Sequence, residues 1–461
     1  MDKSPLLSWR ALVARAPEAL AVTEAQGGRQ WSRRELTAGA LGVARALRGQ
    51  VAPSLRRRVA MALPNGGAWF EAFIGLLEAG AVPVPIDPSE PECAQMEAAS
   101  LAGATHFWRE GEFVQVQLSR RRSQSPALCL VKLTSGSTGR AKALPATHGQ
   151  MVADGIQICT TMDIAGDDSN LATIPLGYSY GLGNLVMPLL LKGTRVICAS
   201  SPLPHALAAD AARLCPSVFP TVPPILRALV ESDLPRECFR SLRLVISAGS
   251  PLDAKIARSF LDRYGVRVHG FYGTSETGGI AYDRTGDATL EGRSVGTALE
   301  GVRLRLGAGG VLTVSSRAVL GRGRFRPPDR VSLNAFGELV LEGRADRAVK
   351  VAGRRVHLAE IERTLRSTVG VDDCFVYALG ERDPAIVAAV AGRGSPADVR
   401  RQLRLRLAPW KVPGRILILR RFPVTGRGKT DFAALRQALS ASRMATSIST
   451  LSADRQIAAH K

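Results

Sequence analysis

The chain reads as an α/β protein: mostly parallel sheets covered by helices over the first 300 residues, antiparallel β structure from about 295, and a small α+β domain after Arg344. Three observations carry the layered part of this expectation. Short apolar runs alternate with stretches of helical spacing over the first 300 residues. A Gly-rich segment alternating residue by residue starts near 295. A compact helix and strand pattern follows Arg344. The length of 461 residues suits several domains, and 46% hydrophobic against 22% charged residues is enough apolar material for a sizeable core, which excludes a wholly disordered chain.

The elements follow in order. RRVAMAL (57–63) reads as a strand, GAWFEAFIGLLEAG as a helix and AVPVPI as the next strand. The rhythm repeats with TRVICAS, HALAADAARL and PSVFPT, and again with LRLVISAG, AKIARSFLDRYG and VRVHGFYG. Strands alternating with helices of this length predict mostly parallel sheets covered on both faces, and 300 residues call for at least two of them. VGTALEGVRLRLGAGGVLTVSS and RVSLNAFGELVLEG predict antiparallel strands. After Arg344, HLAEIERTLRS and ADVRRQLRLRL read as helices, and DCFVYALG and AIVAAVAG as strands. The expected divisions are 1–345, 346–440 and a flexible Ser- and Ala-rich tail, 441–461.

Composition narrows the function class. The longest apolar stretches, such as LGNLVMPLLL, are half of the roughly 20 residues a membrane helix needs. MDKSPLLSWRALVARAPEAL lacks the pattern of a signal peptide. Seven cysteines without CxxC spacing argue against a disulfide framework or zinc site and for a reducing cytoplasm. The net charge is +21, and from Arg347 to Lys461 there are 22 basic and 9 acidic residues, a local +13. Such an excess fits an anionic cofactor or acidic protein partner, or solvated Arg-rich faces. A nucleic-acid binder is disfavoured, because aromatics are only 5% and interleave with no basic patch.

Four blocks carry chemistry. In LVKLTSGSTGRAKAL (130–144) a strand ends at Leu133, and a Ser/Thr/Gly loop, Lys142 and a helix from Thr147 follow. Glycines let backbone N–H groups close on an anion, hydroxyls add donors and Lys142 adds charge, although the spacing differs from that of P-loop nucleotidases. GFYGTSETGG (270–279) follows the strand VRVH and offers an aromatic face at Tyr272, hydroxyls at Thr274 and Ser275, and a hard oxygen ligand at Glu276. PPDRVSLNAFGELVLEGRADRAVKVAGRRVHLAEIE (327–362) and FPVTGRGKTD (422–431) complete the set.

In this order, the blocks resemble the adenylate-forming enzymes: acyl-CoA synthetases, peptide-synthetase adenylation domains and luciferases. TSGSTGRAKA stands for the family's phosphate loop, YGTSE for YGxTE, and PPD for TGD. GRADRAVKVAGRRVHLAEIE matches GRxDxxxKxxGxRxxxxEIE in full, and PVTGRGK stands for PxxxxGK. The resemblance spans about residues 1–435 and implies the family's fold: a large N-terminal domain of two α/β subdomains plus a distorted β-barrel, with a small mobile α+β C-terminal lid domain. It implies ATP-dependent activation of a carboxylic acid to an acyl-adenylate with release of pyrophosphate. Transfer to a thiol, CoA or the phosphopantetheine of an acidic acyl carrier protein, then releases AMP.

Matching positions imply the roles. Thr134, Ser135, Gly136, Ser137, Thr138 and Gly139 would cradle the pyrophosphate end of ATP, with Lys142 adding charge and Thr134 serving catalysis. Tyr272 would stack on adenine beside Gly249, with Gly273 and Thr274 in the same strip; Ser275 would contact the α-phosphate and Glu276 would hold Mg²⁺. Asp329, with Arg344 close by, would accept from the ribose hydroxyls, and Lys429 would bridge carboxylate and α-phosphate. Asp346 falls at the hinge and Gly353 at the thiol channel. Acid-pocket walls would come from segments near 178–184, 247–250 and 276–281, among them Tyr178, Gly249 and Gly278. Rich in Gly, Leu and Tyr, they imply an acid uncharged beyond its carboxylate, with aryl and fatty acids both open.

Four departures stand out. Ala141 and Ala143 replace Pro and Gly after the phosphate loop, PPD replaces TGD with the Asp kept, Tyr178 stands where many thioester-forming members have His, and the 310–328 stretch is short. An enzyme loading an amino or aryl acid is the runner-up, although GYSYGLG offers no carboxylate for an ammonium group. A non-catalytic basic binding protein is the reading from another class.

Overall fold

The computed structural model describes residues 4–52, 58–109, 111–116, 125, 127–134, 142–344, 348–351, 354–380, 385–407, 409–425 and 430–440; for 344, 348–351, 354–357 and 410 it describes the backbone alone. The chain divides into two compact units, the first made of Met1–Ala308, Leu312–Pro327 and Leu333–Val340, the second of Gly309–Val311, Pro328–Ser332 and Leu341–Lys461. The expected boundary at 345/346 and the expected tail, 441–461, lie outside the described residues.

The first unit holds two large sheets. A nine-stranded sheet runs in the order Thr297–Ala298, Gly278–Tyr282, Val268–Thr274, Leu244–Ser247, Val218–Thr221, Ser169–Ala172, Arg195–Cys198, Leu20–Glu24, Gln30–Ser32. Its central pairs are parallel and its edges antiparallel. The parallel strands are buried on both faces, which is why LVIS and VFPT are unbroken buried runs instead of alternating ones. A four-stranded sheet, Val82–Pro85, Arg58–Met61, His106–Arg109, Glu112–Gln115, lies apart from it in sequence order.

Helices cover these sheets because their apolar stripes must be buried. Gly67–Glu78 packs Trp69 and Phe73 as stacked rings 5.0 Å apart in the main core. It packs closely on Arg33–Gln50 because Gly75 lacks a Cβ, which would collide with the Ala40 carbonyl. Ser32 starts Arg33–Gln50 with a capping box: its Oγ accepts from Glu35 N at 3.2 Å, and Glu35 Oε2 accepts from Ser32 N at 2.8 Å. The expected helices 204–214 and 254–264 form, capped by Cys215 and Gly265 in left-handed conformation.

The alternating region forms strands at Arg303–Gly307, Val311–Ser315, Arg324–Phe325, Asp329–Leu333 and Leu339–Arg344, with antiparallel pairs Val314–Phe325 and Val311–Arg330.

In the second unit, Val371–Leu379, Ala385–Gly392 and Arg415–Leu419 form one sheet. Leu358–Arg366 and Pro396–Arg404 bury Ile361, Leu365 and Leu403 on one face of it, and Leu435 and Leu439 of the 432–440 helix cover Phe375 and Val387 on the other. Of the cysteines, 129, 159, 198, 238 and 374 are buried and 93 and 215 exposed. No described helix is long and apolar enough to cross a membrane.

Candidate active site

Two strands that pair with each other flank the anion loop. Leu128–Thr134 pairs antiparallel with Lys142–Thr147, so Thr134 and Lys142 face each other where the loop begins and ends. This corrects the strand, loop and helix order expected from sequence. KALPAT is a strand because its backbone completes the ladder of its neighbour, and only then does Thr147 cap the helix His148–Thr161. The Thr147 cap is reciprocal: its Oγ1 accepts from Gln150 N at 3.2 Å, and Gln150 Oε1 accepts from Thr147 N at 2.9 Å. Thr134 is half-buried and Lys142 exposed, while Ser135, Gly136, Ser137, Thr138 and Gly139 lie outside the described residues.

The second block also differs from the sequence reading. The strand read at VRVHGFYG runs from Val268 through Tyr272 to Thr274, then turns and returns as Gly278–Tyr282, a pairing not foreseen. Gly273 is required by this close return: a Cβ there would lie 2.6 Å from the Gly278 carbonyl oxygen. Thr277, fully buried, holds the turn, with its Oγ1 accepting from Thr274 N at 3.3 Å. Leu320 N donates to the Glu276 carbonyl at 2.8 Å. The Glu276 carboxylate is half-buried, and no described residue hydrogen-bonds to it or forms an ion pair with it. A hard carboxylate left with its lone pairs open in a partly wet turn fits a Mg²⁺ ligand.

Parallel strands bring the pieces together. Ser247 sits beside Gly270, so Gly249, just past the end of its strand with φ of 88°, emerges at the same edge as the Tyr272–Ser275 strip. Tyr272 is buried, and the neighbouring Phe271 has its ring 5.9 Å from that of Tyr180. Tyr180 Oη donates to the Ile246 carbonyl at 2.9 Å, and burial pushes its phenol pKa well up. Ser179 Oγ donates to Ser275 Oγ at 2.9 Å. Tyr178 donates to the Asp87 carboxylate. The helix that starts at Ser179 contains one π-helical turn, Leu182–Val186, ahead of Pro188.

The sequence pattern of AMP-binding enzymes matches residues 9–107 and 94–309, and that of the AMP-binding enzyme C-terminal domain matches 360–429. The chain belongs to the AMP-binding enzyme family. A feruloyl-CoA synthase of an Amycolatopsis species is 29% identical over 93% of this chain and 98% of its own length. The p-hydroxybenzoic acid–AMP ligase FadD22 of Mycobacterium tuberculosis is 29% identical over 68% of this chain and 49% of its own length. The crystal structure of the ATP-bound MatB of Rhodopseudomonas palustris has the same fold, with a TM-score of 0.81 at 20% identity over 95% of this chain and 99% of the other. This family member is an AMP-forming acid–thiol ligase.

The remaining family positions fall in the second unit. Asp329, half-buried, opens the strand Asp329–Leu333, and Arg344 closes Leu339–Arg344. Lys429, Asp346 and Gly353 lie outside the described residues.

Sequence reasoning missed two buried ionisable side chains in this AMP-binding enzyme, Lys132 and Asp154. Lys132 is 3% exposed and Asp154 2% exposed. Burial lowers the pKa of the Lys132 ammonium and raises that of the Asp154 carboxyl, and each group partly offsets the shift of the other. The signals were there: a lysine inside the apolar run LCLVKLT, and an aspartate on the face of His148–Thr161 that buries Met151 and Ile158.

Proposed function

We propose that this enzyme activates an aromatic carboxylic acid and transfers it to CoA. The observation that carries the reading is the Tyr272–Glu276 turn at the carboxyl edge of the parallel sheet, tied by Ser275 to the Ser179 segment. The names of relatives at 29% identity, a feruloyl-CoA synthase and a p-hydroxybenzoic acid–AMP ligase, support an aromatic acid over a fatty one.

In the first step a carboxylate oxygen of the acid bonds to the α-phosphorus of ATP, and the bond to pyrophosphate breaks. Two anions must meet, so donors and cations have to be in place beforehand. Thr134 and the loop after it, with Lys142, hold the departing pyrophosphate. Tyr272 and Gly249 hold adenine, Asp329 with Arg344 the ribose, and Ser275 the α-phosphate. Lys429 bridges the reacting carboxylate and the α-phosphate. Glu276 is the side chain that would hold Mg²⁺, which when bound neutralises phosphate charge. In the second step the thiol sulfur bonds to the acyl carbon and AMP leaves with its electron pair. The lid, 346–440, swings about Asp346 and brings Gly353 to the thiol channel. An enzyme using ATP and CoA belongs in the cytoplasm.

An acidic carrier protein is the second reading for the acceptor, favoured by the +13 of the last quarter. Local pairing weakens it: Arg401 donates to Asp398, Arg406 to Ser367, and Arg400 to the Gly414 carbonyl. ATP–pyrophosphate exchange with a panel of aryl, fatty and amino acids tests the activation step. Transfer to CoA and to a holo carrier protein between about 50 and about 300 mM salt tests the acceptor, since a broad electrostatic contact weakens as the Debye length shrinks. Exchange with aryl acids and salt-tolerant transfer to CoA is the expected outcome. Exchange with fatty or amino acids alone, or transfer only to the carrier at low salt, overturns it.

A further inference from the structure

Four buried polar side chains gather beside the acid-wall segments with hydrogen-bonding capacity left over. Lys132 lies two residues before Thr134, on the same face of the strand. No described residue accepts a hydrogen bond from its ammonium, and its electrostatic partners are Asp154, Cys129 and Glu276. Asp154 touches two walls at once. Its Oδ1 accepts from Gly279 N at 3.0 Å and occupies the space a Cβ on Gly278 would need, and a Cβ on Gly183 would lie 3.2 Å from its Oδ2. Asn184, next to Gly183, is 1% exposed with Oδ1 unpartnered. Gln157, one turn along the helix from Asp154, is 8% exposed with Oε1 unpartnered.

Unused buried polar groups are costly, and a paired charge in a core is often replaceable by apolar residues without loss. A cluster of this kind beside the segments expected to wall the acid pocket therefore points to an occupant that completes it. Lys132 and Asp154 carry opposite formal charges, so the cluster favours an uncharged polar substituent over a second full charge on the acid. The carboxylate and the two amide oxygens call for a donor, and the ammonium calls for an acceptor. A hydroxyl supplies both.

We infer that Lys132 and Asp154 form the polar end of the acid pocket and select an aromatic acid bearing a phenolic hydroxyl. The inference rests on the aromatic-acid reading and names the substituent within it. Lys132 and Asp154 then act as specificity-determining residues, and the glycines at 183 and 278 make room for the carboxylate between the walls.

The test uses the full chain and two matched pairs, benzoic with 4-hydroxybenzoic acid and cinnamic with 4-hydroxycinnamic acid, in ATP–pyrophosphate exchange. The hydroxylated member should lead by about 100-fold or more in kcat/KM, because a site built to bond a hydroxyl is left with unpaired groups by the analogue lacking it. In Asp154→Asn and Lys132→Met that ratio should fall below about 10-fold. A ratio near one in the unaltered enzyme overturns the inference and leaves the aromatic-acid reading standing. A pair that only supports the fold would lower both acids alike, and an unchanged ratio in the variants overturns it as well. Should the single variants fail to fold, the double variant Lys132→Met with Asp154→Leu, which buries no charge, is measured in the same way, and the ratio in the unaltered enzyme still decides. Exchange with none of the four acids overturns the aromatic reading and the inference together.

Discussion

The Oγ of Ser179 donates to the Oγ of Ser275 at 2.9 Å, across 96 residues of sequence. One hydroxyl belongs to the segment that starts the π-containing helix, the other to the turn before Glu276. A group on the acid side thus orients a group assigned to the α-phosphate. Ser179→Ala removes the orienting donor but no phosphate contact, so kcat for adenylate formation should fall about 5-fold, in keeping with about 1 kcal/mol for one hydrogen bond. Ser275→Ala should fall further, by about 10²-fold. Exchange kinetics with ATP and acid varied separately check both, and an equal loss in the two variants contradicts the assignment.

Glu276→Gln keeps the shape of the turn and removes the charge. Turnover should become strongly dependent on Mg²⁺ concentration, while binding of the acid without ATP, followed by calorimetry, changes little. A defect that high Mg²⁺ does not ease, together with lost acid binding, speaks against the metal role.

Lys429→Ala should lower acyl-adenylate formation by about 10²-fold or more and leave thioester formation from a supplied acyl-adenylate largely intact. A charge used in one transition state costs only that step when removed. Single-turnover assays of the two half-reactions distinguish this from an equal loss in both, which contradicts a swinging lid.

Glu338 supplies a pH prediction. Arg293 donates to it through Nε at 2.9 Å and Nη2 at 3.1 Å, Ser294 Oγ donates at 2.8 Å and Asn334 Nδ2 at 2.8 Å. These bonds, the arginine's first, lower its pKa from 4.5 to about 2. A carboxyl whose folded pKa is depressed stabilises the fold above its unfolded pKa, and that contribution is lost as pH falls through the folded value. Denaturation midpoints should therefore decline between pH 4.5 and about 2, and Glu338→Gln should flatten that limb while lowering stability at neutral pH. An acid limb unchanged by the substitution contradicts the coupling.

Much of this was legible in the linear chain. LVIS, VFPT and RVIC are apolar runs too short for helices and bounded by turn residues, so their length and flanks mark them as buried parallel strands. Tyr272, Ser275 and Glu276 stand in a block whose residue types suit a nucleotide and its metal. Other features depended on pairing with a neighbouring strand that no local period announces. KALPAT carries no clear strand period, and it pairs because Leu128–Thr134 presents a free edge to it. The strand through Tyr272 holds to Thr274 because Gly278–Tyr282 folds back on it and satisfies its backbone groups.

By itself the sequence determined the α/β layering, the kinds of side chain offered to phosphate, base and metal, and the family, since these follow from local period and from residue type at short spacing. Only the tertiary structure decided that Lys132 and Asp154 share a buried site, that Ser179 meets Ser275, and that Gly278 stays open beneath a carboxylate. The reason is physical. Burial and pairing are properties of the space between elements, and neither a lysine in a strand nor an aspartate on a helix carries any mark of what will pack against it.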